Sequence, residues 1–493
     1  MNVVIFNSHT LFASHYETEL EIILHHQKQG DKVVQLVCNK ELPACENNPY
    51  FMPESCERCV SKVKSGYSQL QQKPIVRSFF QLTETDKKRI AETQRNITNL
   101  EELKKLWVDN FDVGYAVAST MISMARNPSP ELEGRQVERL IISSLGVYFS
   151  FLNYLRQNPT DVVYIFNGRF STTRGAMRAC EKSGVRFITH ERGCNMQHYS
   201  LFENATIHNM PNTQRLIREA WANAEPQSRE GIAGKWYETR IGGKMENWYS
   251  FLENQQIELP EGWDKNKENI LICNSSEDEV AALGEEWKNP LYINQSDGIT
   301  RIIKACETLE NLHVYLRIHP FMAQKASNEN LRYLLNLKSK NLTIIPPASK
   351  LSTYELVRNA SKVITFGSTI GVEATYMGRP SILAAKTFYD ALNIAYTPAS
   401  HDELMALIRQ NLEPKPKENA LMYGYFWGTF GVKFEYYEPH DFDRGTFLGK
   451  KIEAELGLKY KLIQAVFHNK KMLPLSEKLR LRWRERVMNR YLG

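Results

Sequence analysis

The chain has 493 residues, of which 42% are hydrophobic and 24% charged, and its net charge is +6. This composition excludes a disordered chain, a collagen-like repeat and a disulfide-rich miniprotein, and the length predicts two or three domains. No apolar stretch approaches the ~18–20 residues of a membrane-spanning helix. The start, MNVVIF, lacks the features of an export signal, so we expect a cytoplasmic protein.

The first predicted elements are a strand at residues 3–6, a polar loop, a helix from about residue 16 to 29 and a strand over KVVQLVC. Periodic segments without strand runs predict a helical insertion at 84–158. A second β-α-β unit follows, with strands VVYIF and VRFITH on either side of a helix, and residues 211–253 read as helical. Together these elements predict an N-terminal Rossmann-like domain at residues 1–258.

A cysteine-rich loop is predicted at residues 38–59, where Cys38, Cys45, Cys56 and Cys59 lie close in sequence. Thiols stay reduced in the cytoplasm and four thiolates satisfy tetrahedral zinc, so the group predicts a structural zinc site. Its spacing is looser than that of a zinc ribbon, and unligated cysteines in a loop are the alternative.

A polar stretch with Pro260 and Gly262 predicts a linker into a second Rossmann-like domain at residues 259–412. Five strand-like runs there alternate with helical stretches, at 270–274, 313–318, 342–346, 362–366 and 381–385. This alternation predicts a parallel sheet with ligands at the carboxyl ends of its strands. Neither G-x-G-x-x-G nor the P-loop sequence occurs, which disfavours a dehydrogenase and a P-loop NTPase.

After about residue 413 we expect no further strands, and residues 413–493 are predicted to form a C-terminal helical segment. Residues 470–493 carry eight positive and two negative side chains, so this tail accounts for the whole net charge. The rest of the chain is neutral, which argues against a nucleic-acid partner. Cations alternate with apolar residues in the tail, a pattern typical of a segment on an anionic membrane surface. The alternative is a terminal helix packed on its own protein.

Two turns of the second domain are candidates for binding a nucleotide. Gly367, Ser368 and Thr369 follow a strand where a helix begins, so their N–H groups and hydroxyls would hold phosphate, with helix capping as the alternative. His319 and Pro320 follow another strand, and His319 would offset charge on the leaving nucleotide. Further candidates on this side are Arg317 for the phosphate, Glu373 for ribose or the helix dipole, and Ser275 and Ser276 for phosphate or capping.

A third group of polar residues ends strands of the first domain. Glu191 is the candidate general base for an acceptor hydroxyl, and His190 competes because its reference pKa is closer to neutrality. Asn167, Arg169 and Arg192 are candidates for binding an anionic acceptor or a donor carboxylate. An ion pair between Glu191 and one of the two arginines is the structural alternative.

These motifs resemble those of the bacterial capsule-polysaccharide biosynthesis glycosyltransferases, including the capsule Kdo transferases and, more distantly, bacterial sialyl- and polysialyltransferases. The resemblance covers about residues 160–195 and 269–395, with matches at Glu191, Gly193, His319, Pro320, Ser368, Thr369, Glu373, Ala374, Gly378, Pro380, Phe388 and Tyr389. It implies that Glu191 is the base and that His319, Ser368 and Thr369 bind a CMP moiety. Arg192 departs from the Kdo transferases, which have a second acid before the glycine.

The expected architecture is GT-B, in which an acceptor domain and a nucleotide-sugar donor domain, both Rossmann-like, face each other across a cleft. The expected function is transfer of a sugar from a nucleotide sugar, CMP-linked by resemblance, to a surface polysaccharide or lipid-linked glycan at the inner face of the plasma membrane. The reaction is expected to invert the anomeric carbon without a metal or other catalytic cofactor. The alternatives are a UDP-sugar 2-epimerase of the same architecture and a non-catalytic scaffold of a polysaccharide assembly complex.

Overall fold

The computed structural model describes residues 1–12, 14–93, 96–243, 256–324, 329–458, 460–462 and 473–492. The chain divides into two compact units. Unit 1 comprises residues 1–124, 129–207 and 431–493, and unit 2 comprises residues 125–128 and 208–430. The division therefore differs from the boundaries expected at residues 258 and 412, because the helices after residue 208 pack on the second sheet and the C-terminal segment returns to the first.

Unit 1 contains the elements β1 Asn2–Asn7, α1 His15–Lys28, β2 Lys32–Val37, α2 Pro53–Tyr67, β3 Ile75–Ser78, α3 Glu84–Glu92, α4 Leu100–Lys104, α5 Val113–Ala125, α6 Gly134–Gln157, β4 Val162–Phe166, α7 Ser171–Ser183, β5 Phe187–Arg192, β6 His198–Glu203, β12 Val432–Lys433, β13 Tyr437–Pro439, β14 Gly445–Phe447 and α16 Leu473–Leu492. The predicted helical insertion is confirmed as α3 to α6.

The sheet of unit 1 has seven strands in the order β12-β6-β5-β4-β1-β2-β3. Strands β5, β4, β1, β2 and β3 run parallel, which is the order of a Rossmann unit, and β6 and β12 continue the sheet antiparallel. The central strands β1 and β4 are nearly all apolar because helices cover both faces of a parallel sheet. Gly184 ends α7 at φ 66°, a left-handed conformation that glycine adopts without strain.

Unit 2 contains α8 Met210–Asn223, α9 Pro226–Ile241, β7 Glu268–Cys273, α10 Gln295–Cys306, β8 Leu312–Arg317, α11 Glu329–Leu335, β9 Leu342–Ile345, α12 Thr353–Asn359, β10 Lys362–Thr365, α13 Ile370–Tyr376, β11 Ser381–Leu383, α14 His401–Arg409 and α15 Lys417–Thr429, with short 3₁₀ turns at Glu277–Glu279, Glu285–Trp287 and Pro320–Gln324. The five predicted strands are confirmed as β7 to β11.

The sheet of unit 2 is entirely parallel, in the order β11-β10-β7-β8-β9. One apolar cluster, which includes Ile217, Tyr237, Val372, Leu383 and Tyr423, joins the sheet to helices α8, α9, α13 and α15. These helices therefore belong to unit 2, and α9 is held near the turn that precedes α13. Both units are α/β, so the predicted fold class of two Rossmann-like sheets is confirmed.

The expectation of no strands beyond residue 413 is wrong, because β12, β13 and β14 form in this region. Strand β12 pairs antiparallel with β6. The buried carboxylate of Glu21 accepts the backbone N–H groups of Glu435, Tyr436 and Tyr437 at 2.5 to 3.2 Å. These bonds attach residues 435–437 of the C-terminal segment to α1.

The last turns of α16 pack on unit 1. Tyr491 is fully buried, and its hydroxyl donates to the Glu41 carbonyl at 2.8 Å. A Cβ at Gly146 would lie 2.1 Å from the Tyr491 ring, so only glycine leaves room for that ring. Val487 is also buried. These two apolar residues of the tail serve internal packing, which favours the packed-helix alternative. No helix in the described parts of the chain is long and apolar enough to cross a membrane.

Candidate functional site

The strand order of the unit 2 sheet reverses at β7. The chain runs from β7 outward to β8 and β9 on one side, and then to β10 and β11 on the other. In open parallel sheets, ligands bind outside the carboxyl ends of the strands at such a switch point. The loops after β7, β8 and β10 carry Ser275, His319 and the turn formed by residues 367–369, so all three predicted donor loops meet at this edge.

Short hydrogen bonds hold the three loops together. The Ser275 hydroxyl donates to the Phe366 carbonyl at 2.7 Å, which joins the β7 loop to the end of β10. Asn274 accepts the backbone N–H of His319 at 2.7 Å, which joins the β7 loop to the β8 loop. Gln295 accepts the N–H of Ser275 at 3.1 Å. Asn274 and Gln295 organise this edge, although neither stands out in the sequence.

His319 is half-buried at the end of β8. Its Nδ1 accepts the backbone N–H of Phe321 at 3.2 Å, and its ring stacks on the Phe321 ring with centroids 5.7 Å apart. An acceptor at Nδ1 places the proton of the neutral ring on Nε2. The ring can therefore present an N–H donor, as the sequence predicts for this residue.

The 367–369 turn is partly exposed. Gly367 has φ 88°, a conformation that side chains other than glycine rarely adopt. Tyr389 donates its hydroxyl to the Ser368 carbonyl at 2.7 Å, and the Ser368 hydroxyl accepts the N–H of Ile370 at 3.3 Å. The turn is thus fixed from below by Tyr389, while the side chains of Ser368 and Thr369 remain partly exposed.

Two predicted donor residues are buried instead. Arg317 is 3% exposed and donates to the carbonyls of Pro346 and Ser349, at 2.7 and 3.3 Å, and to the hydroxyl of Thr353. Its guanidinium holds the loop after β9, which corrects its expected role in phosphate binding. Glu373 is fully buried and accepts from Arg240 at 2.7 Å, so it cannot reach a ribose.

The hydroxyls of the β7 loop are also used internally. Ser275 donates to Phe366, and the Ser276 hydroxyl donates to Asp278 at 3.0 Å beside the turn at Glu277–Glu279. The Ser276 hydroxyl therefore has an internal partner, although it does not accept a capping bond from the backbone of that turn. Pro320 begins the 3₁₀ turn that follows His319, three residues after the strand ends at Arg317.

Unit 1 has a switch point between β1 and β4, and Asn167 and Glu191 lie at that edge. Asn167 has φ 57°, a left-handed conformation that asparagine tolerates, and its amide donates to Glu191 Oε2 at 2.6 Å. The backbone N–H of Arg192 donates to Glu191 Oε1 at 3.1 Å. Burial raises the pKa of Glu191, and the bond from Asn167 opposes that shift. A carboxylate with a raised pKa that stays 19% exposed fits a general base.

His190 does not share this position. It is fully buried, and burial lowers its pKa to about 3, so the ring is neutral at ordinary pH. Its Nε2 lies 3.9 Å from the buried carboxylate of Glu19. The His190 side chain has no exposed surface, whereas that of Glu191 is 19% exposed. His190 is therefore not placed to take a proton from an acceptor, which corrects its role as the competing base.

Two histidines near Glu191 escaped the sequence analysis. His15, the first residue of α1, places Nε2 3.8 Å from Glu191 Oε1, and burial lowers its pKa. His9 follows β1, is 5% exposed, and has no hydrogen-bond partner for either ring nitrogen among the described residues. The rings of Phe12 and Phe166 lie against His9, with centroids 4.9 and 5.6 Å away. The polar loop after the first strand was the only signal for these residues.

The two candidate arginines of unit 1 lie against aromatic rings. The Arg169 guanidinium carbon lies 4.6 Å from the Phe170 ring centre. That of Arg192 lies 3.6 Å from the Phe442 ring centre. The Glu191 carboxylate accepts hydrogen bonds from Asn167 and from the backbone of residue 192, and the positive charges of Arg192 and Arg169 both lower its pKa.

Two of the four cysteines expected in a loop at residues 38–59, Cys56 and Cys59, lie on α2 instead. No group of three His, Cys, Asp or Glu among the described residues is placed to hold a metal. Cys59 accepts from the Thr10 hydroxyl at 3.2 Å and Cys56 from the Asn48 amide at 3.2 Å. Burial raises the pKa of Cys56 to about 11, so its thiol is protonated.

No protein-family model and no curated protein matches this sequence. Among solved structures, the chain is similar to the Kdo 2,4 transferase KpsC of Thermosulfurimonas dismutans, with 14% identity, coverage of 54% of this chain and 79% of that chain, and a TM-score of 0.37. It is also similar to the UDP-GlcNAc 2-epimerase of Methanocaldococcus jannaschii, with 13% identity, coverage of 86% and 98%, and a TM-score of 0.27. A third is the spinosyn rhamnosyltransferase SpnG, with 10% identity, coverage of 87% and 96%, and a TM-score of 0.26.

These similar structures thus include a Kdo transferase, the class that the sequence motifs resemble, together with another glycosyltransferase and a 2-epimerase. At such low identities and TM-scores, the likenesses assign neither a reaction nor a substrate to this chain.

Proposed function

We propose that the chain is a glycosyltransferase whose unit 2 binds a nucleotide sugar and whose Glu191, in unit 1, acts as the general base. The observation that carries this proposal is the convergence of His319 and the 367–369 turn at the switch point of the unit 2 sheet. Ser275 and Asn274 tie these loops together by bonds of 2.7 Å. Partly exposed N–H and O–H donors at such an edge suit a phosphate group.

In the proposed reaction, Glu191 takes the proton of an acceptor hydroxyl, and that oxygen forms a bond to the anomeric carbon of the donor sugar. The bond between that carbon and the phosphate oxygen breaks, and the electron pair leaves with the nucleotide. His319 and the serine and threonine hydroxyls stabilise the negative charge that develops there. A single displacement of this kind inverts the anomeric carbon, and it assigns no step to a metal ion.

The donor class and the acceptor follow from the sequence motifs. The H-P and S-T motifs resemble those that bind CMP in the capsule transferases, so the proposed donor is a CMP-sugar. The proposed acceptor is a surface polysaccharide or a lipid-linked glycan at the inner face of the plasma membrane. Support for the acceptor side comes from the position of Glu191, whose carboxylate is 19% exposed beside the ring of His15.

The test is a binding panel with CMP, CDP, UDP and GDP, read as thermal stabilisation, because a ligand that binds only the native state raises its apparent stability. We expect CMP to stabilise the protein most. Binding of none of the four would contradict the proposal and favour a scaffold. Conversion of UDP-GlcNAc without an acceptor would instead identify a 2-epimerase. Activity that survives a chelator would support transfer without a metal.

A further inference from the structure

One cation reaches the 367–369 turn from an element far away in the sequence. Arg240, near the end of α9, donates from Nε to Glu373 Oε1 at 2.7 Å and from a terminal nitrogen to Thr369 Oγ1 at 3.0 Å. Its guanidinium carbon lies 4.5 Å from the centre of the Trp236 ring, which restricts it on one side. Arg240 therefore links α9 to Thr369, just before α13, and to Glu373, in the first turn of α13.

The pairing with Glu373 determines the charge beneath the turn. Glu373 is fully buried, with a relative exposure of 0%. A buried carboxylate without a partner destabilises a protein. A lone carboxylate one helical turn after Thr369 would also repel an approaching phosphate. Arg240 is 19% exposed and neutralises Glu373. An anion at the turn therefore meets a balanced pair instead of a buried negative charge.

The bond to Thr369 determines the direction of its hydroxyl. A hydroxyl has one proton to donate and two lone pairs to accept with. Arg240 donates to the oxygen of Thr369, so the hydroxyl proton must point to a different partner. Within the described residues, no acceptor takes this proton. A phosphate oxygen in front of the partly exposed turn would be such an acceptor.

We infer that Arg240 is a positioning residue for phosphate binding at the 367–369 turn. It fixes the Thr369 hydroxyl as a donor and cancels the charge of Glu373. This inference rests on the proposed function, because it assigns a cause to the affinity of unit 2 for the phosphate part of the nucleotide. It predicts that Arg240 affects binding of nucleotides and leaves binding of the matching nucleosides unchanged.

The experiment measures the affinities of CMP, cytidine, UDP and uridine by calorimetry. The variants are Arg240→Gln, Thr369→Val and the two combined. We expect each single variant to weaken binding of the nucleotide on the order of 10-fold or more, as for loss of a charge-assisted hydrogen bond. Since Arg240 acts through Thr369, the double variant should lose much less than the product of the two single losses. Arg240→Lys keeps the charge with one point of contact, so it should restore part of the affinity.

Controls separate this effect from misfolding. Arg215→Gln removes an exposed arginine of α8 that pairs with Glu219 at 2.6 Å, and it should leave all affinities unchanged. Because Arg240→Gln leaves Glu373 buried without its cation, Arg240→Gln/Glu373→Gln provides a folded background for the same measurement. In that background the nucleotide should still bind more weakly than in the wild type.

The outcomes distinguish the two hypotheses. If the wild type binds CMP or UDP and the Arg240 and Thr369 variants bind it equally well, the inference is overturned while the proposed function stands. Equal losses of nucleotide and nucleoside, or independent losses in the double variant, would likewise overturn it. If the wild type binds none of these ligands, the proposed function fails and the inference fails with it.

Discussion

The side-chain amide of Asn167 donates to the carboxylate of Glu191 at 2.6 Å, across the ends of two neighbouring strands. This bond orients one carboxylate oxygen and leaves the other near His15. Burial raises the pKa of Glu191, whereas the donated bond stabilises the ionised form. The Glu191 carboxylate is therefore oriented by Asn167, and its pKa depends on that neighbour.

Replacing Glu191 with glutamine should nearly abolish transfer. The change keeps the shape of the side chain and removes its basicity, so turnover should fall by roughly 10²–10⁴-fold. Steady-state kinetics with donor and acceptor measure this loss, and calorimetry should show unchanged nucleotide affinity. Glu203→Gln, at an exposed glutamate that pairs with Arg186, is the matched control. Full activity of Glu191→Gln would remove the residue from the mechanism.

Replacing Asn167 with aspartate should move the pH dependence of transfer. A second carboxylate beside Glu191 disfavours its ionised form, so the pKa of Glu191 should rise further. A base works only when it is deprotonated, and the acidic limb of the pH–rate profile should therefore shift to higher pH. Asn204→Asp, at another asparagine with positive φ, serves as the control. An unshifted profile would mean that Glu191 does not titrate in the reaction.

His319→Ala and Ser368→Ala should each weaken nucleotide binding. Both changes remove donors at the switch point of unit 2, and each lost charge-assisted bond should cost on the order of 1.5–3 kcal/mol. Calorimetric titration with the nucleotide that stabilises the wild type measures the effect. The control is His313→Ala, on the strand that precedes His319, where the ring contacts Thr343 at 2.9 Å; this variant should bind normally. Normal affinity in both test variants would exclude this edge as the donor site.

Purified protein should contain far less than one zinc ion per chain, because the described cysteines do not form a set of three ligands. Elemental analysis of protein prepared without a chelator gives this value. A stoichiometric zinc content that is lost when Cys56 and Cys59 are changed to serine would restore the zinc site predicted from the sequence.

Tyr491→Ala should destabilise the protein by about 3–5 kcal/mol, the usual cost of emptying a large aromatic site in a core. The change also leaves the Glu41 carbonyl without its donor. Denaturant unfolding measures the loss, and Arg486→Ala, at an exposed residue of the same helix, should be nearly neutral. Equal stability of Tyr491→Ala and the wild type would contradict the packing of α16.

The membrane role of the tail stays a proposal with its own test. Arg482 and Arg486 are exposed on α16, so replacing both with alanine should weaken binding to anionic vesicles without changing stability. Unchanged vesicle binding would leave the tail with a packing role alone.

Much of the fold was readable in the sequence because the strands of parallel sheets are buried on both faces and form continuous apolar runs. The ends of those strands led to Glu191, His319 and Ser368. The sequence did not reveal that Arg317, at a strand end, and Glu373, in the first turn of α13, are buried, because a charged residue looks the same in sequence whether its partner is a ligand or the protein. The contact between Arg240 and Thr369 could not be predicted from the sequence either, since it depends on how α9 packs.

Unit 1 is built from three stretches of sequence, and the last of them, residues 431–493, follows the whole of unit 2. During synthesis, the ribosome releases residues 208–430 before the segment that bonds to Glu21 and pairs with β6. Unit 2 can therefore complete its sheet while unit 1 still lacks β12 and the Tyr491 side chain. Unit 1 is therefore the first unit to be translated and the last to finish folding. Until residues 431–493 arrive, the apolar surfaces of unit 1 that they cover must be kept from aggregating.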